Sequence, residues 1–178
     1  NNFQPVKQSI DLVGKEQESE KITADPQTLV KFAHPGISSD SKDFYAFKFG
    51  LRVLGSGSFS SRFFTEIRDK KGLTYSIGCN LDDCDLSSRI VGSASTRPVN
   101  AREMIMAIKE EFNRIKEQGI TQEELDYNKN SIISSSTLVS AKDIVKYLDV
   151  CRKRGINVGD INSYMKAYHD LTLEQVNM

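Results

Sequence analysis

The sequence predicts an α+β domain, a largely antiparallel sheet with helices packed on one face. Three observations carry this. Leu73, Tyr75, Ile77, Cys79 and Leu81 alternate with Thr74, Ser76, Gly78 and Asn80, the period-two pattern of a strand with one buried face. Segments with apolar residues at helical spacing flank it, most of them opened by a capping signal. The order is strand, two helices, hairpin and then a run of helices, not the regular strand and helix alternation of a parallel sheet. At 178 residues the chain is long enough to bury one core and short for two.

Residues 1–24 are polar, charge-dense from Lys15 to Lys21 and broken by Pro5 and Gly14, so they read as a linker or extended arm before a domain over 25–178. Thr28 to Ala33 has strand composition, and His34-Pro35-Gly36 turns the chain. Ser39 or Ser41 caps a helix carrying Phe44, Phe47, Leu51 and Leu54, which Gly55-Ser56-Gly57-Ser58 stops. A second helix is expected from about Phe59 to Lys71, with Phe59, Phe63 and Ile67 as its apolar stripe and Gly72 just past its end. The alternating strand then turns at Asp82-Asp83-Cys84-Asp85 and returns as Leu86 to Thr96, an antiparallel hairpin.

Beyond Arg97-Pro98 only helical patterns remain. Asn100 with Glu103 opens a long helix ended by Gly119, Thr121 with Glu124 forms a capping box, and Ser140 with Asp143 starts a helix running to Gly155. A short helix is expected from Ile161 to Tyr168. Thr172 with Gln175 announces one more, only about a turn before Met178, so the domain reads as truncated at its C-terminal end.

Charge and composition exclude several classes. Lys+Arg and Asp+Glu each number 24, leaving no net field for nucleic acid or an anionic membrane, and no apolar run approaches the roughly 18 residues of a membrane span. Cys79, Cys84 and Cys151 show neither disulfide-framework nor zinc spacing. There is no HxxEH, GxSxG or P-loop. His34 and His169 stand alone, so the chain by itself should hold no metal and be inactive as an enzyme.

The segment Leu54-Gly55-Ser56-Gly57-Ser58-Phe59-Ser60-Ser61-Arg62-Phe63-Phe64-Thr65-Glu66-Ile67-Arg68-Asp69-Lys70-Lys71-Gly72-Leu73-Thr74-Tyr75-Ser76 strongly resembles the LGxGxxSRLFxxIRExxGLxYS stretch of the insulinase, pitrilysin and mitochondrial-processing-peptidase family. Phe63-Phe64 replaces Leu-Phe and Asp69 replaces Glu. Asp25-Pro26-Gln27, the hairpin and Thr121 to Leu125 extend the resemblance over residues 25–178. It implies one half of a metallopeptidase clamshell, the zinc-free C-terminal domain.

On that resemblance, zinc is expected in an HxxEH-bearing N-terminal domain or partner subunit, and the substrate is a peptide or unfolded protein. Arg68 and Tyr75 match the residues that family uses to contact substrate carbonyls and the tetrahedral oxyanion. Spacing alone reads both as structural. Arg68 lies in the last turn of its helix, where a cation suits the dipole, and Tyr75 shares the alternating face of Leu73 and Ile77. The same resemblance also admits a non-catalytic scaffold, or a subunit working only in a homo- or heterodimer. The strand from Leu73 to Leu81 offers an edge to which a peptide could be added.

Overall fold

The computed structural model describes residues 26–38, 41–83, 88–136, 144–145, 148–149 and 166–178. Residues 1–24, read above as a linker or arm, lie outside these, as do Ser39, Cys84, Cys151, most of the helix expected from Ser140 to Gly155 and the start of the one expected from Ile161.

Three strands form an antiparallel sheet in the order β1-β3-β2, with β1 Thr28–Pro35, β2 Ser76–Asp83 and β3 Ser88–Thr96. Register places Val30 opposite Ala94 and Ala94 opposite Ile77, and likewise His34, Ile90 and Leu81 in line, so one face collects the apolar residues. Against it pack Leu51, Leu54, Phe63, Ile67, Met104, Ala107 and Ile108, while Leu29, Lys31, Ser76, Asn80 and Ser93 face outward and are exposed. The helices therefore cover one face of the described sheet, as the alternation of β2 and β3 requires.

Helix α1, Phe44–Leu51, runs without a break into a π-type turn, Arg52–Ser56. Asp43 takes its N-cap position without a side-chain cap bond, and Ser41 Oγ instead accepts from Asp43 N at 3.2 Å. The second predicted helix differs more. A 3-10 turn, Ser58–Ser60, precedes a π-helix, Phe63–Lys70, whose wide bonding pattern shows in Lys71 N donating to Glu66 O. This shift separates the predicted stripe: Phe63 and Ile67 are fully buried, whereas Phe59 is 75% exposed. Phe32, Phe63 and Phe112 meet edge to face with centroids about 6 Å apart, locking β1, the π-helix and the next helix together.

Helix α2, Ala101–Gln118, ends at Gly119 with φ +67°, and the π-helix ends near Gly72 with φ +63°, both left-handed positions that glycine adopts without strain. Helix α3, Gln122–Ser136, opens with the predicted box: Thr121 N donates to Glu124 Oε2 at 2.8 Å and Glu124 N to Thr121 Oγ1 at 3.1 Å. The box of Thr172 and Gln175 likewise opens a helix, Leu173–Asn177. Asn177 then bonds both backbone groups of Ile120, tying this end to the α2–α3 loop beside a second core of Phe49, Val53, Leu125 and Tyr168.

Candidate functional site

The predicted strand over Leu73–Leu81 begins at Ser76, and that difference decides where Tyr75 points. Leu73 and Thr74 are both buried, so the inward and outward alternation slips by one residue and Tyr75 emerges 84% exposed. The reading of Tyr75 as core on the face of Leu73 and Ile77 is thereby overturned.

The π-helix brings Arg68 to the same surface. Its Cζ lies 4.0 Å from the Phe64 ring centroid and 4.8 Å from that of Tyr75, so the guanidinium sits against both rings. Phe59 meets Phe64 edge to face at 4.8 Å. Phe59, Phe64, Arg68 and Tyr75 thus form a continuous row with both ends exposed. The two rings steady Arg68 without accepting conventional hydrogen bonds, which leaves its N–H groups free for an acceptor.

Arg62, six residues earlier, is treated in the opposite way. Only 7% of its side chain is accessible, and it donates to both carboxylate oxygens of Glu124 at 2.7 Å and to Gly119 O at 2.8 Å. Bonding to Glu124 raises the Arg62 pKa further. Burial pushes Glu124 up, but its bonds to Arg62 and Thr121 outweigh this and hold the carboxyl below its ordinary value.

Among the described residues no three His, Cys, Asp or Glu side chains converge where a metal ion could sit, so the residues present do not fit zinc. His34 is exposed at the end of β1 with Nδ1 2.8 Å from Pro35 O, and Cys79 is a buried free thiol. No helix among the described residues is long and apolar enough to cross a membrane.

The sequence singles out Arg68 and Tyr75 but not the row that joins them. Phe59 was assigned to the buried stripe, and Phe64 entered only as a match to the motif. The signal available for Phe64 was its spacing, four residues before Arg68, which brings two side chains together on one helix face.

A sheet backed by helices thus carries at one end a half-buried arginine lying against an exposed tyrosine. The chain belongs to the family described as the peptidase M16 inactive domain, whose sequence model matches residues 1–132. It is 30% identical to a crystal structure of a peptidase M16 inactive domain from Pseudomonas fluorescens, with a TM-score of 0.77 over 85% of this chain and 36% of that one. A protease from Helicobacter pylori shares the fold at 22% identity and a TM-score of 0.69, again over 85% of this chain and 36% of that one. An uncharacterised zinc protease of Streptomyces coelicolor is 28% identical over 65% of this chain and 23% of its own length. The chain thus corresponds to a fraction of its relatives' lengths.

Proposed function

We propose that this domain is the zinc-free half of a zinc metalloendopeptidase and that it binds the peptide substrate and stabilises the charge that develops on its scissile carbonyl. The observation that carries this reading is the Arg68 guanidinium lying against both Phe64 and Tyr75. A carboxylate partner would occupy the donors and cancel the charge; two rings do neither.

Arg68 N–H groups donate to a substrate carbonyl or to the oxyanion, and the Tyr75 hydroxyl donates a further hydrogen bond from the same side. Closing a second module over the row would exclude water and strengthen both bonds. Strand β2 is an edge of the described sheet and begins one residue after Tyr75, so its backbone can pair with an extended peptide passing the row. The HxxEH-bearing N-terminal domain or partner subunit supplies zinc, which when bound activates the attacking water and polarises the carbonyl.

The test is turnover of the complete two-module enzyme carrying Arg68→Lys or Tyr75→Phe. Each should lower kcat about 10²-fold, as loss of one oxyanion donor does. Full turnover by both folded variants would refute the role and leave a scaffold of the same fold as the better reading.

A further inference from the structure

We infer that Thr74 and Thr96 are positioning residues, whose hydroxyls turn Tyr75 out of the sheet and against Arg68. The inference rests on the proposed role of Arg68 and Tyr75 and names what holds the pair in place.

The outward turn has a visible cause. An unbroken strand would put Leu73, Tyr75 and Ile77 on one face. Instead Leu73 and the following residue, Thr74, are both buried. Thr74 Oγ1 accepts from Ser76 N at 3.0 Å, a local bond that bends the backbone around Tyr75. The same hydroxyl has two carbonyls within reach of its one proton, Ser95 O at 2.5 Å and Ser76 O at 2.8 Å, the first on the neighbouring strand. Thr96 Oγ1, also buried, donates to Leu73 O at 2.6 Å. The backbone on both sides of Tyr75 is thus fastened to the end of β3, and Tyr75 is the residue between the fastenings that faces solvent. The phenol itself needs no contact with the core to be held; its direction is set by its neighbours.

Two measurements on the full-length, two-module protein test this. With selectively labelled arginine, NMR should show Arg68 side-chain signals shifted by the Tyr75 ring current. Thr74→Val, which keeps the shape and removes the hydroxyl, should abolish the Tyr75 contribution, and Thr74→Ser should retain it. Turnover should fall about 10- to 100-fold in Thr74→Val, the scale of a misplaced catalytic contact, and recover in Thr74→Ser. Adding Thr74→Val to Tyr75→Ala should cost nothing further, because Thr74 acts through Tyr75.

An unchanged ring-current shift in folded Thr74→Val overturns the inference, and so does an equal loss of turnover with and without the Tyr75 ring. A lost shift with full turnover upholds the positioning role and refutes the proposed function, which separates the two failures. Should Thr74→Val not fold, Thr96→Val removes a single bond and is read by the same measurements.

Discussion

Replacing Glu124 with Ala should destabilise this domain more than most single changes, because the carboxylate performs two structural tasks. It receives two short bonds from Arg62, whose side chain is 7% accessible, and it closes the capping box on Thr121 N. Breaking a buried ion pair by removing one partner costs about 3–5 kcal/mol. Glu124 keeps 28% of its side chain accessible, so the lower end applies, about 3 kcal/mol. Losing the box adds about 1 kcal/mol. The sum of about 4 kcal/mol corresponds to a fall in Tm of roughly 8–16 °C for a chain of this size.

Thermal or urea unfolding of wild type, Glu124→Ala, and the double variant Arg62→Met with Glu124→Leu measures this. The double variant should recover most of the loss, since an apolar pair leaves no buried charge unpaired. A cost below about 1 kcal/mol for Glu124→Ala, or a double variant no better than it, would refute the reasoning. The pH dependence supplies a second check. The folded-state pKa of Glu124 lies below its unfolded value, so its contribution is complete above the unfolded pKa of about 4.3 and is lost as pH falls through the folded one. The gap between wild type and Glu124→Gln should therefore close in acid.

Glu111, only 5% exposed, is the opposite case: burial pushes its pKa up, against the pull of Arg114 at 3.6 Å. Glu111→Gln should stabilise the fold at pH 7 by up to about 1 kcal/mol, and because the folded pKa is raised the gain should vanish as pH falls below about 4.3, as unfolding at the two pH values will show. Gly55→Ala places a Cβ 2.5 Å from Phe63 Cδ2 and 2.7 Å from Cys79 Sγ, so it should cost about 1–3 kcal/mol by denaturant titration. Burial pushes the Cys79 thiol to about 12, so peptide-resolved mass spectrometry should find it unalkylated in the native protein at pH 8 and alkylated after denaturation.

What the sequence disclosed follows from which interactions are local. Capping boxes are written in residues three apart, and those at Thr121 and Thr172 appear in the structure as read. Period-two alternation located the hairpin, because a face buried under helices demands it. The π-helix was not legible, since α and π winding place nearly the same residues inward and differ in the backbone bond each carbonyl receives. Phe59 departs from the predicted stripe for a different reason: it lies in the 3-10 turn Ser58–Ser60, before the helix begins. Alternation alone puts Tyr75 in the core because it assumes an unbroken strand, whereas Thr74 breaks it by a local bond from Ser76 N and a distant one to Ser95 O, 21 residues away. The contact between Arg68 and Tyr75 joins a helix to a strand end across a glycine turn, and the family motif, not periodicity, pointed to it.

One short motif thus contains two arginines put to opposite uses by what surrounds them. Arg62 is enclosed, paired and bonded to the α2–α3 loop, so its charge is neutralised and its Nε and Nη2 serve the fold. Arg68 lies against the rings of Phe64 and Tyr75, an attraction that steadies it without taking up its hydrogen-bond donors. A lysine at 68 could keep the charge but not the plane or the fork of donors, which is why Arg68→Lys is a discriminating change. Aromatic residues also lose little freedom on being ordered, so the row can steady a half-buried cation at the surface. An exposed arginine is ordinarily mobile; Arg68 is half-buried and lies against two rings, so less of its freedom remains to be lost.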